Sequence, residues 1–440
     1  MKKTITLLAI LFAVNVFAID RFVDSNLSQG NGTTLFTTIT SAVAAAVNGD
    51  RIIIVPSTYN EAELTIDKSI QVIPQTAGTT INFNANIIVS GFAGMNLQII
   101  GFNLGNYTIT SNNNSSINNR AQIKIIDSNA RRISLNHDGY KLNLINCTIS
   151  EDITFRFGSV VKCSTNNLFL NDEIGSTLEN DYTLIAANVV SSETQLLTDN
   201  TIYKVVNNNL KHLRVQKWSL DVSKRNEISN NNFANQCEIN FAILDESTGI
   251  SSGDYSGTGE SIFSHKRISK YNFSFNNNLF LGTVYYSTFN QNASLNFLNF
   301  NGRMNSLFYG ENYYTTLNNG SENFFYSTSE SCWPNTYSDG FFEFEHNGFL
   351  NPTLTNSQLL NYSNTSGGTN QIDGGSPNHR YYDIDLTVND RGVNGGPFSQ
   401  LNYNASNPNN SRAFIFDLEM PVDLFPGQNV EIRAKGYHSN

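Results

Sequence analysis

Asn207-Asn208-Asn209-Leu210 recurs along this chain, as Asn230-Asn231-Asn232-Phe233 and as Asn276-Asn277-Asn278-Leu279. A shorter relative, Thr165-Asn166-Asn167-Leu168, precedes them, and Asn146-Cys147-Thr148-Ile149 is a looser one. The closing apolar residues, Ile149, Leu168, Leu210, Phe233 and Leu279, lie one or two multiples of about 21 to 23 residues apart, the signature of a stacked repeat. Asn tolerates the left-handed backbone of a tight bend, and its amide can hydrogen-bond to a like amide one repeat away. The spacing therefore predicts a coil corner, with the Leu or Phe pointing inward and the amides stacked in a column.

Outward from these triplets the chain reads as very short strands. Ile52-Ile53-Ile54-Val55 is broken by Pro56, and apolar runs follow at 64–66, 70–73, 81–83, 87–89, 97–100 and 102–104. Gly, Asn, Asp or Pro stand close to each run, which is strand and turn punctuation. One helical pattern precedes them, over 33–50, where Ile39, Ala42, Val43, Ala46 and Val47 recur at helical spacing and Gly49 supplies the stop. Short strands with a fixed period predict an all-β solenoid in which each coil pairs with the next.

Phe22-Val23-Asp24, the helix, and Gly49-Asp50-Arg51-Ile52-Ile53-Ile54-Val55-Pro56-Ser57-Thr58-Tyr59-Asn60-Glu61 together resemble the opening of right-handed parallel β-helix proteins of the pectate-lyase-like superfamily. Ser57 stands where that pattern usually has Gly. The resemblance implies that the helix caps the open apolar end of the coil, and it extends over roughly 22–300. Ile372-Asp373-Gly374-Gly375-Ser376-Pro377-Asn378, Asp383 to Gly392 and Gly395-Gly396-Pro397 look like the closing segment of secreted β-helix proteins, an acidic Gly-rich series of turns running back along the coil. From about 300 the sequence turns irregular and aromatic, with two readings: packing of the last coils, or a sugar-stacking platform. Alternation over 413–435, with Pro426-Gly427 at its turn, predicts a C-terminal β-hairpin that covers the end of the solenoid. The expected organisation is a signal peptide over 1–18, a β-helix over 19–400 and the hairpin extension over 401–440.

Met1-Lys2-Lys3, an apolar run from Ile5 to Phe17, and small residues at Val16 and Ala18 read as a secretory signal cleaved after Ala18. That run is short for a membrane span, and no later stretch is long and apolar enough for one. A secreted or outer-surface location follows as the expectation. The net charge is −10, and loss of Lys2 and Lys3 makes it more negative, which argues against nucleic acid as a partner. Export permits disulfides among Cys147, Cys163, Cys237 and Cys332, but four cysteines allow three pairings, and free buried thiols are an equal reading.

Two clusters could carry function. Lys204, Lys211, Arg214, Lys217, Lys224 and Arg225, with His212 and Trp218, face a single acid, Asp221, in an otherwise acidic chain. Lys211, His212, Arg214, Lys217 and Trp218 could form a basic strip that meets an acidic glycan, or a solvated face balanced by acids on neighbouring coils. Asp373, Asp383, Asp385 and Asp390 could hold calcium, which needs six or more oxygens, or could satisfy their own turns. The lyase and hydrolase signatures of the resembled fold are absent. Adjacent acids such as Glu151-Asp152 should point to opposite faces of a strand and so make poor catalytic pairs. The leading expectation is a secreted or cell-surface module, glycan-contacting or structural and not catalytic, with polysaccharide as its partner. The alternative is a divergent polysaccharide lyase or glycoside hydrolase.

Overall fold

At Asn146, Asn207 and Asn230 the backbone turns left-handed, with φ of 52, 56 and 55°. These residues share one corner with Gly101, Asp127, Lys162 and Ala187, whose φ values of 70, 48, 55 and 57° repeat the same bend. The computed structural model describes 18–112, 119–171, 182–198, 202–217, 226–241, parts of 373–399 and the short strands of 273–350, 414–419 and 433–437. The chain is a right-handed parallel β-helix.

Among the described residues, one sheet of 13 strands runs beside the corner, and a second of 15 strands begins just past it. The first includes Arg51–Ile54, Gln71–Pro74, Asn96–Ile100, Ala121–Ile126, Tyr140–Ile145, Gly158–Val161 and Ile202–Val206. In the early coils the second sheet has two limbs, such as Ile81–Phe83 and Ile87–Val89. From Thr148–Phe155 onward the limbs fuse into single strands that bend at a bulge, as between Ile149 and Asp152. Inward positions are apolar and stack coil on coil: Ile99, Ile125, Leu144, Val160, Ile185 and Val205 are all fully buried. Among the described residues no helix is long and apolar enough to cross a membrane.

The amide column is present, and it lies inside. Asn188, Asn208 and Asn231 each follow a left-handed corner residue and are fully buried. Asn188 Nδ2 donates to Asn208 Oδ1 at 2.9 Å, and Asn208 Nδ2 donates to Asn231 Oδ1 at 2.9 Å. The same oxygens accept the backbone N–H groups of Asn188 and Asn208, which point toward the next coil at the bend. Ser128, Cys147 and Cys163 continue the column toward the N-terminus, and both cysteines are free and buried.

Register corrects two of the expected copies. Ile149, Thr165, Val190, Leu210 and Phe233 stand opposite one another along the second sheet. Leu168 instead pairs with Ile153, so Thr165-Asn166-Asn167-Leu168 lies beyond the corner, which in that coil is Lys162-Cys163. Phe280, not Leu279, is the partner of Phe233. Phe273–Asn276 pairs directly with Phe342–Glu343 and Leu279–Leu281 with Gly348–Leu350, so coiling extends past 300. The intervening stretch holds a separate antiparallel sheet of Leu295–Phe297, Arg303–Phe308 and Glu311–Thr316.

The helix, Ile39–Ala45, is shorter than its pattern, and Val47 is 44 % exposed rather than core. Ala46 already turns extended, so the helix stops before Gly49. Side chains of the first coil hold both its ends. Glu61 accepts the N–H groups of Ile39 and Thr40 at 2.7 and 2.8 Å, and Lys68 donates to the carbonyls of Val43 and Ala44 at 2.8 Å. The two N–H groups and the Ala44 carbonyl are terminal groups of the kind a helix leaves unpaired, while the Val43 carbonyl also accepts the Ala46 N–H at 3.2 Å. Below the helix, fully buried Asp50 accepts from Arg21 Nε at 2.8 Å and from the Val47 N–H at 2.9 Å. Near the C-terminus Phe414–Glu419 pairs antiparallel with Arg433–Tyr437, and Val430 and Ile432 lie outside the described residues.

Candidate functional site

The corner column carries two different environments along its length. At Asn207 and Asn230 it is covered by the chain's own closing segment. Asn207 Nδ2 donates to the carbonyls of Val393 and Gly395, and Asn230 Nδ2 to Asn389 Oδ1 at 2.8 Å and the Asp390 carbonyl at 2.9 Å. Asn232 Oδ1 accepts the Val393 N–H at 3.2 Å. The segment therefore does run back along the coil. The outward amide of a corner Asn is a hydrogen-bonding hook for whatever lies against it.

Nearer the N-terminus the same corner opens into a groove of about 650 Å³. The loop 75–80 contributes Gln75, Thr79 and Thr80, the strand ends contribute Ile73, Pro74 and Ile100, and the corner contributes Asp127, Asn129, Asn146 and Thr148. Gly101 seats the loop: a Cβ there would lie 2.8 Å from the Thr79 carbonyl oxygen, and its φ of 70° already favours Gly. Asn146 Nδ2 donates to Asp127 Oδ1 at 2.5 Å, fixing the single carboxylate of the lining. Asn129, Asn146, Thr148 and Thr80 are exposed. Such a site offers neutral donors and acceptors beside a small apolar surface, and its volume falls in the range of small-molecule clefts.

In the described part of the basic strip, Arg214 has an acidic partner on the preceding coil. Lys211, His212 and Arg214 lie half-buried on Asn209–Lys217, with Leu213 inward between them. His212 stands opposite Glu193, and Arg214 Nη1 lies 3.7 Å from Glu193 Oε1. Toward the N-terminus the same column passes through Asn167 to Asp152, where Asn167 Nδ2 donates to Asp152 at 2.9 Å. Arg132 then pairs with Asp152 at 2.9 Å and Glu151 at 3.1 Å. Glu151 and Asp152 thus serve one guanidinium, contrary to simple alternation, because the bulge between Ile149 and Asp152 breaks the period of two. Lys217 ends its strand, and Trp218 lies outside the described residues.

The aspartates of the closing segment spend oxygens on backbone. Asp383 accepts from the Asp390 N–H at 3.2 Å, and Asp390 Oδ1 accepts from the Asp373 N–H at 2.8 Å. Asp385 lies outside the described residues, among which no group of three His, Cys, Asp or Glu is placed to hold a metal ion. Sequence reading missed the groove. Its residues are ordinary turn-formers, and the one local sign was Ala77-Gly78-Thr79-Thr80, a turn whose overhang above Gly101 no spacing reveals. No family model, curated protein or solved structure matches this chain.

Proposed function

We propose that this protein is an exported β-helix that contacts a glycan without cleaving it, and that the corner groove is the contact site. The observation that carries this reading is the 650 Å³ groove lined by Gln75, Thr79, Thr80, Asn129, Asn146 and Thr148 with one tethered carboxylate, Asp127. Paired donors and acceptors suit sugar hydroxyls, and Ile73, Pro74 and Ile100 suit the C–H face of a pyranose. A neutral glycan fits better than an acidic one, because the groove lining presents no cation and, on the basic strip, Arg214 is already paired with Glu193. The resemblance of residues 22–61 to pectate-lyase-like proteins supports an extracellular polysaccharide partner, although fold alone does not assign function.

The enzymatic alternative rests on Arg132, Glu151, Asp152, Glu193 and Arg214, which share one outward face. It ranks second because these carboxylates are already engaged in ion pairs. A glycan array probed with the chain from Ile19 onward tests both. Retention on neutral oligosaccharides without release of reducing ends or unsaturated uronides supports the first reading. Product release from any polysaccharide in a panel overturns it in favour of the second.

A further inference from the structure

The backbone nitrogen of Ile19 donates to Asp50 Oδ1 at 2.8 Å. Asp50 is fully buried, and its other oxygen is held by Arg21 Nε and the Val47 N–H. Ala18 and Ile19 are both exposed, so the peptide bond between them is open to a protease while the nitrogen on its far side is aimed at a buried carboxylate. The residues before it are the apolar run and small-residue pattern that read as an export signal.

We propose that hydrolysis of the Ala18–Ile19 bond creates a second cationic partner for Asp50, so that maturation itself locks the N-terminal cap. Water, acting with a signal peptidase, leaves a carboxylate on Ala18 and an amine on Ile19. The amine takes up a proton at neutral pH, where an ordinary α-amino group titrates near about 7.7–8.0. The donor of the existing hydrogen bond then changes from a neutral amide to an ammonium, and a hydrogen bond between charged partners is roughly twice as strong as a neutral one. Three elements meet at this carboxylate: the strand Asp20–Val23, the turn after the helix, and the strand Arg51–Ile54. The charged groups facing the new amine are Asp50 and Arg21, with Asp20 and Arg51 paired to each other at 2.6 Å alongside. Asp50 and Asp20 offset the two guanidiniums, which leaves the ammonium beside a locally neutral set. The pairing makes Asp50 a device that distinguishes the processed chain from its precursor.

The inference rests on the export reading for the cleavage and on Asp50 for the pairing, and two measurements separate them. N-terminal sequencing of the exported protein should begin at Ile19; any other start overturns the proposal. The pairing is tested by comparing the chain that starts at Ile19 with the same chain acetylated on that nitrogen. Acetylation keeps the N–H bond to Asp50 and removes only the charge, so both forms fold. The ammonium is favoured in the folded state, which raises its folded pKa above the unfolded value. Its contribution is therefore fully present below about pH 7.7 and is lost as pH rises through the folded pKa. The free-amine chain should melt about 1–3 °C higher than the acetylated one at pH 6.5, with the gap closed by about pH 10. Direct titration should place the α-amino group above the ordinary range. Equal melting temperatures at every pH, or an ordinary α-amino titration, would overturn the pairing.

Discussion

Asn208 is completely buried and uses every polar atom of its amide. The two hydrogens of its Nδ2 are shared among Asn231 Oδ1 and the carbonyls of Ile185 and Val206, all at 2.9 Å, and its Oδ1 accepts twice from Asn188. Removing such a group strands buried donors and acceptors, each at about 1–3 kcal/mol. Asn208→Leu should therefore lower unfolding free energy by about 2–4 kcal/mol in urea titration despite adding apolar surface. Higher up the same column, burial and the neighbouring Cys163 push the Cys147 thiol well above its usual range. Cys147 should stay unmodified by a thiol reagent at pH 8 in the native protein and react on unfolding, as read by peptide mapping. The corner was legible at Asn207 and Asn230 because an Asn side chain both tolerates a left-handed backbone and caps it. It was illegible at Lys162 and Ala187, which have no such preference. There the ladder bonds on either side impose the bend, and the nearby Asn-Asn-Leu at 166–168 lies one limb beyond it.

At the scale of elements, two pieces of chain are tied to the coils by side chains rather than by strand pairing. The helix Ile39–Ala45 is held between Glu61 and Lys68, and its apolar spacing made it readable before its length was. The closing segment is held by Asn207, Asn230 and Asn232. Asn230→Ala removes the bonds to Asn389, Asp390 and Gly392 together. Hydrogen exchange across 389–396 should then accelerate by tenfold or more while exchange in the strand Ile202–Val206 stays unchanged. Uniform protection of both regions would mean that the segment is anchored elsewhere. Turn composition revealed that this segment is not strand. Its docking partner, more than 150 residues away in sequence, left no trace in local pattern.

At the scale of the molecule, the parallel register makes every corner residue a neighbour of its counterparts about 4.8 Å away in the adjacent coils. Columns rather than residues are the functional units, and one column can be closed by the chain at one end and open at the other. Solenoid architecture was readable from periodicity, since inward residues must recur once per coil. The groove was not, because it depends on a loop from one coil overhanging corners two and three coils away. Calorimetric titration of the chain from Ile19 with the best neutral oligosaccharide from the array should give saturable binding. Exposed Asn129 and Thr148 can be changed at little cost in stability. Asn129→Ala with Thr148→Ala should weaken binding tenfold or more, and Arg214→Ala on the outward strip should leave it unchanged. Full affinity in the groove variant, or its loss with Arg214→Ala, would contradict the account.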